Sequence, residues 1–501
     1  MLNLKTFEVW FVTGSQHLYG EATLRQVDEH SKMIVDAFND SSEIPVKVIF
    51  KPVVKSAEEI TNICKEANRT PNCVGVIVWM HTFSPAKMWI NGLKILQIPL
   101  LHLHTQFNRD IPYADIDMDF MNLNQSAHGD REFGHIISKM KMGGIPISCK
   151  VVVGHWQSKS VLEKINVWSR VAVGRFQMKT MKLARFGDNM RYVAVTEGDK
   201  VAAEMKFGFE VNTYAVGDLV KVINQISEAE IQTLIKEYED TYQMMPSLTS
   251  GGAMRSSLIE AARIELGLKA FLEDGGYSAY TNTFEDLHGM RQLPGIGSQR
   301  LMAAGYGYGG EGDWKTSAMV HVLKVMASGL KGGTSFMEDY TYHFDPQNEM
   351  VLGSHMLEIC PSIADAKVKC EVHPLGIGGK EDPVRLVFNG QEGAAINVSL
   401  VDMGNRFRLI VNEVNAVKVT EEFPKLPTAR ALWKPQPSME VGLQAWIMAG
   451  GAHHTVYSQA ISTEYIEDLA EMLDIELVII DKDTTIRNLK NELRFNSVAF
   501  K

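Results

Sequence analysis

Four acidic and imidazole sites stand where solvation does not account for them. Glu338 lies mid-way along GGTSFMEDYTYHF (332–344), an aromatic stretch patterned as a buried strand. Glu311 follows the glycine-rich GYGYGG and precedes a helical pattern over 313–329. His355 sits in VLGSHMLEI, read as an apolar strand, and His453 and His454 lie in MAGGAHHTVY. An ionised carboxylate in an apolar setting is costly unless an arginine, a hydrogen-bond network or a metal ion compensates it. Two glutamates with one or two histidines form a mixed oxygen–nitrogen ligand set. That set suits Mn²⁺, Co²⁺ or Mg²⁺ better than structural Zn²⁺, which prefers thiolates and imidazoles. No compact motif such as HExxH ties the residues together. An arginine-paired Glu338 and hydrogen-bonded core histidines therefore stand as the alternative. Four such residues together, three of them beside glycines that permit close backbone approach, weaken that alternative and leave the metal reading open.

Other motifs carry less. GYGYGGEG has the glycines of a dinucleotide loop, but that fingerprint follows a strand, whereas SQRLMAAG before it is patterned as a helix. GIGGKEDP lacks the phosphate-loop spacing, and GxSxG is absent. The loops GSQHLYG (14–20), HTFSPAKMW (81–89) and NLNQSAHG (122–129) set amides and imidazoles beside aromatic walls. A sugar pocket uses that mixture.

The elements that must position these groups fall into three stretches. FEVWFV (7–12), VKVIF (46–50), CVGVIVWM (73–80) and PLLHLHT (99–105) read as buried strands. Helices separate them: one presents Leu24, Val27, Met33, Ile34, Ala37 and Phe38 on a face, one opens with the capping pattern SAEE (56–59), and one starts at Ser84–Pro85. Continuous apolar strands alternating with helices predict a parallel sheet covered on both faces. Its ligand crevice would lie beyond the C-terminal strand ends, near Gln16, His17, His81, Thr82, His104 and Gln106. A second α/β stretch starts near 177, with strands at 181–187 and 209–216 and helices at 217–241, 254–274 and 313–329. From 330 onward, short strands predict an antiparallel sheet or barrel, followed by the helix EYIEDLAEML and the strand IELVIID. The expected domains are 1–176, 177–329 and 330–501.

Bulk properties narrow the class. The 501 residues carry 50 Lys and Arg against 60 Asp and Glu, a net charge of −10. No basic stripe is present, which argues against nucleic acid or an anionic membrane as partner. Five scattered cysteines without a CxxC pair suit a reducing compartment. The N-terminus lacks a signal-peptide layout, and no apolar run approaches the roughly 20 residues of a membrane helix. A cytoplasmic protein is expected.

Read together, WFVTGSQHLYG, HTFSPAKMWINGL, DMDFMNLNQSAHGDREFG, RFGDNMR, NTFEDLHG, GEGDWKT, GGTSFMEDYTYHF, GSHMLEICPSIA, LGIGGKEDP and AGGAHHT resemble bacterial L-arabinose isomerases, in order and across nearly the whole chain. The resemblance implies two doubly wound α/β domains of the fucose-isomerase type and a β-rich C-terminal domain. It implies conversion of L-arabinose to L-ribulose by metal-assisted proton transfer through an enediol, with D-galactose to D-tagatose as a side activity. The cofactor implied is Mn²⁺, with Co²⁺ as a substitute and no nucleotide. By the same resemblance Glu311, Glu338, His355 and His454 are the metal ligands, with His454 preferred over His453, and Glu311 and Glu338 are catalytic. Gln16, Leu18, Tyr19, Gln125, His128, Met190 and Phe284 would line the sugar pocket. A homohexamer with active sites at subunit boundaries is implied as well. A non-enzymatic sugar-binding module is the competing reading, and the absent export signal and the two buried glutamates weigh against it.

Overall fold

The alternating pattern of the first stretch folds as its periodicity requires. The computed structural model describes residues 2–500. Strands β1 (Glu8–Gly14), β2 (Lys47–Phe50), β3 (Cys73–Met80), β4 (Leu100–His104) and β5 (Cys149–Val153) form one sheet in the order β2-β1-β3-β4-β5. All its pairings are parallel. Every residue of β3 is buried, as expected for a strand covered on both faces. The sheet order reverses between β1 and β3, and a crevice opens at such a switch point.

Local details depart from the sequence expectations in informative ways. The helix Gly20–Asp40 buries Val27, Ser31, Ile34, Val35 and Phe38, while Met33 is 53% exposed. The inward face is rotated because Ser31 is satisfied on it, by Thr13 at 2.8 Å and by the carbonyl of Val27. Ser56 caps Ala57–Arg69 by accepting from the amide of Glu59, as expected. Ser84 caps nothing: its hydroxyl accepts from the Trp89 indole, and Pro85 takes the cap position.

Contacts divide the chain into two compact units: Leu2–Phe176 with Glu467–Asp474, and Gln177–Ile466 with the residues from 475 onward. In the second unit, β6 (Lys182–Phe186), β7 (Glu210–Tyr214), β9 (Ala279–Asn282) and β10 (Gly307–Gly309) form a parallel sheet in the order β10-β9-β6-β7, while β8 (Gln243–Met244) lies apart. The expected helix over 217–241 is two helices, Val216–Ile223 and Glu228–Thr241, because Ser227 and Glu230 form a capping box that starts the second. The helix Arg255–Gly275 ends on left-handed Gly276. β10 hides inside GYGYGG for a steric reason. A Cβ on Gly307 would lie 2.1 Å from the carbonyl oxygen of Ser317, and one on Gly309 2.4 Å from that of Asp313. The helix Trp314–Met326 thus packs directly on the strand backbone.

The β-rich part closes on itself. Strands β11 (Thr334–His343), β12 (Met350–Ser354), β15 (Gly393–Asp402), β16 (Phe407–Val417), β17 (Arg430–Pro435) and β18 (His454–Ser458) pair antiparallel in the ring β15-β18-β11-β12-β17-β16, and β16 returns to β15. β19 (Glu476–Ile480) extends β16 in parallel. VRLVFN leaves this ring: β13 (Lys369–Val372) and β14 (Val384–Val387) join β8 in a separate small sheet. GGTSFMEDYTYHF is buried only in its first half. β18 pairs with Thr334–Glu338 alone, so beyond Glu338 the strand has one neighbour, and Tyr340 and Tyr342 are exposed. His355 lies one residue past β12, not within it.

Candidate metal centre

The four sites singled out in the sequence converge in the second unit: Glu338 mid-way along β11, His454 at the start of β18, His355 just past β12 and Glu311 in a turn. Glu338 stands directly opposite His454 in the β11–β18 ladder and opposite Ser354 in the β11–β12 ladder. His355 follows Ser354, which brings its Nε2 to 4.0 Å from a Glu338 carboxylate oxygen. Glu311 enters from the turn between β10 and the helix Trp314–Met326. Its carboxylate lies 3.9 Å from His454 Nε2 and 3.6 Å from His453 Nε2. The His355 and His454 rings meet edge to face at 5.9 Å, and both lie against Phe336, at 4.9 and 5.0 Å.

No arginine compensates Glu338 or Glu311 among the ion pairs of the described residues. Glu311, His453 and His454 offer ligand atoms that all fall within 4.8 Å of one another. His453 is therefore as near to Glu311 as His454 is, and distance alone does not reproduce the preference for His454. Ring chemistry does separate them. His454 is fully buried, its Nδ1 lies 3.2 Å from Asp313 Oδ2, and its Nε2 has no hydrogen-bond partner. Burial lowers its pKa against the pull of Asp313, so the ring is held neutral with Nδ1–H on Asp313 and a lone pair on Nε2. His355 is arranged alike: Glu358 Oε2 lies 2.5 Å from its Nδ1, leaving Nε2 toward Glu338. Carboxylates that fix the far nitrogen of an imidazole are the usual outer support of a metal ligand. An orphaned Nε2, a second oriented ring and two carboxylates fit a divalent cation with oxygen and nitrogen ligands.

Electrostatics around the cluster follow from burial and charge. For Glu311, burial acts upward, but the hydrogen bond to His453 and the neighbouring imidazoles outweigh it and lower the pKa. For Asp313 the same upward push loses to Lys315, His454 and Thr316, which hold the carboxyl down at about 2. Asp339 is pushed up to about 7 by burial and by its neighbour Glu338. For His355 burial acts downward, but Glu358, Glu338 and Glu311 raise its pKa.

The expected sugar-pocket residues divide between the two units. In the second unit, Phe284 lines a small cavity together with Glu311, His355 and Glu358. Met190 joins the turn by donating its amide to the Glu311 carbonyl at 3.0 Å. In the first unit, Gln16, Tyr19, Gln125 and His128 gather at the β1/β3 switch point. Gln16 Nε2 donates to the Phe83 carbonyl, Tyr19 donates to Gln125 Oε1 at 2.7 Å and accepts from the Phe83 amide, and His128 stacks on Phe83. Leu18 is 82% exposed at the edge of this group. Sequence reasoning missed Asp313 and Glu358. Both had a signal, Asp313 as a cap residue three before Thr316 and Glu358 three after His355, but neither pattern distinguishes a support of the site from an ordinary cap or turn.

Family comparison matches the chain from end to end. Models of the L-arabinose isomerase N-terminal, central and C-terminal domains match residues 3–180, 182–329 and 333–476. The L-arabinose isomerase of Flavobacterium johnsoniae is 61% identical over 500 residues, covering 100% of this chain and 99% of its own.

The chain belongs to the L-arabinose isomerase family.

Identity with the L-arabinose isomerase of Geobacillus stearothermophilus is 60% over 501 residues, the whole of both chains. For that of Escherichia coli O7:K1 it is 56% over 495 residues, 99% of this chain and 98% of the other. The mixed α/β architecture with parallel sheets and a β-rich C-terminal part is the architecture of this L-arabinose isomerase family member.

Proposed function

We propose that the isomerisation of L-arabinose to L-ribulose by this chain runs at Glu311, Glu338, His355 and His454, which hold one divalent cation, Mn²⁺ with Co²⁺ as a substitute. The observation that carries this is the pair of imidazoles, each with Nδ1 engaged by a buried carboxylate and Nε2 turned toward a glutamate. The reaction moves one proton from C2 to C1 of the sugar and another between its oxygens. When bound, the cation polarises the sugar carbonyl and stabilises negative charge on the neighbouring oxygen. Glu311 and Glu338 share the acid–base work: one takes the C2 proton and returns it to C1, and the other serves the oxygens, with a cis-enediol between the two transfers. Asp313 and Glu358 hold the imidazoles in the ligating tautomer. Phe336 and Phe284 wall the reacting end, and Gln16, Leu18, Tyr19, Gln125, His128 and Met190 serve sugar recognition.

The same reading makes the protein a cytoplasmic homohexamer with active sites at subunit boundaries, built from two α/β domains of the fucose-isomerase type at 1–176 and 177–329 and a β-rich C-terminal domain at 330–501. In support of a soluble protein, no helix of the described residues is long and apolar enough to cross a membrane. The test is ketose formation from L-arabinose, with D-galactose in parallel, before and after EDTA and on restoring Mn²⁺. Loss on chelation, recovery with Mn²⁺ and independence from added nucleotide are expected. Unchanged turnover after complete chelation would remove the metal from the reading.

A further inference from the structure

Glu311 has a left-handed backbone, φ +59°, which side chains larger than glycine rarely adopt. Such a conformation persists only where its surroundings impose it. They do so from one loop. After β6, residues 187–197 run across the turn that carries Glu311, and the Met190 amide donates to the Glu311 carbonyl at 3.0 Å. The neighbouring Asn189 is 5% exposed and uses its whole amide. Its Nδ2 donates to the Gly312 carbonyl at 3.2 Å and to the Thr196 carbonyl at 2.5 Å, and its Oδ1 accepts from Arg185. Backbone contact is equally close: a Cβ on Gly312, itself at φ +82°, would lie 2.6 Å from Asn189 Cα. The far end of the loop is tied down by buried Lys315, whose Nζ donates to the Thr196 carbonyl at 3.1 Å.

We propose that Asn189 is a positioning residue for the isomerisation: by joining Arg185, Thr196 and Gly312 it imposes the left-handed conformation of Glu311 that sets its carboxylate beside His453 and His454. The inference rests on the role given to Glu311 above. The Asn189 side chain hydrogen-bonds to Arg185, Thr196 and Gly312 and to none of the four cluster side chains, so its effect passes through the geometry of one carboxylate. A displaced carboxylate lowers turnover and cation affinity together, whereas sugar-binding groups elsewhere stay in place.

Two variants test this, assayed well below their melting temperatures. Asn189→Ala removes all three hydrogen bonds. Asn189→Asp keeps an acceptor for Arg185 but loses both donated bonds, and it is the second variant should Ala fail to fold. Both are expected to raise the Mn²⁺ dissociation constant, measured by the EPR signal of free Mn²⁺, by about 10- to 100-fold. Both are expected to lower kcat by about 10- to 100-fold with KM for L-arabinose changed much less. Folded Asn189→Asp protein with the parent's kcat and Mn²⁺ affinity overturns the inference, even if its melting temperature falls. Glu311→Gln serves as the control on the underlying reading. If it turns over normally, the role of Glu311 itself fails; if it is inactive while Asn189→Asp is normal, only the present inference does.

Discussion

Replacing Asp313 by Asn changes a single atom type at a buried position and should disable the centre while leaving the fold intact. Asp313 is 1% exposed and caps the helix Trp314–Met326: one oxygen accepts from the Thr316 amide at 3.1 Å, the other from the Thr316 hydroxyl at 2.7 Å and from His454 Nδ1. Asn is as good a cap as Asp, so the helix start is kept. Its amide nitrogen must then face His454 Nδ1, which has to accept, and the ring proton moves to Nε2, the atom needed for ligation. The carboxyl is held at about 2 against an ordinary 3.8. That corresponds to roughly 2 kcal/mol of preference for the charged form, and Asn forfeits it. Loss of an outer support costs about 10- to 100-fold in metal affinity or activity, and a wrong tautomer in a catalytic imidazole about 10⁴-fold. A fall of at least 100-fold in kcat is therefore expected, with Mn²⁺ affinity reduced and melting temperature nearly unchanged. The assay is ketose formation beside Mn²⁺ titration and thermal unfolding. Parent-like kcat and Mn²⁺ affinity in folded Asp313→Asn protein would refute the tautomer argument.

Three further outcomes follow from the same geometry. In the first unit, Asp130 bridges His104 Nδ1 at 2.7 Å and His102 Nε2 at 2.9 Å, and its hydrogen bond raises the His104 pKa above 6.5. Stability from a raised imidazole is present below its unfolded pKa and lost as pH rises through the folded one. The melting temperature of the parent should therefore fall relative to that of His104→Gln as pH rises above about 6.5, and a constant difference would count against the bridge. All five cysteines are buried and unpaired, and burial pushes Cys64, Cys73, Cys149 and Cys370 up to about 12. Native protein should stay inert to a thiol reagent that titrates five groups after denaturation. A Cβ on Gly353 would lie 1.9 Å from the Trp433 ring. Gly353→Ala should cost about 3 kcal/mol or more in unfolding experiments, and a neutral result would show that the indole has room to move.

What was legible in the sequence follows from which physics is local. β1, β3 and β4 were readable because burial on both faces makes nearly unbroken apolar runs. The barrel was readable as strands and turns, but the departure of β14 from it was not, because pairing with β13 is set by distant contacts. β10 was hidden by its glycines, which answer to the helix lying on them. At the site, misplaced charge exposed Glu311 and Glu338. The β11–β18 register, which places His454 opposite Glu338, cannot be read along the chain. Asp313 and Glu358 escaped notice because a carboxylate orienting an imidazole looks, along the chain, like any cap or turn residue.

The central claim is that one cation is gripped by Glu311, Glu338, His355 and His454. Anomalous diffraction at the manganese edge, from crystals grown with Mn²⁺, tests it most directly. A single strong peak within bonding distance of those four side chains is the expected result. A peak held by Glu311, His453 and His454 without Glu338 and His355, or one elsewhere in the molecule, would contradict the account.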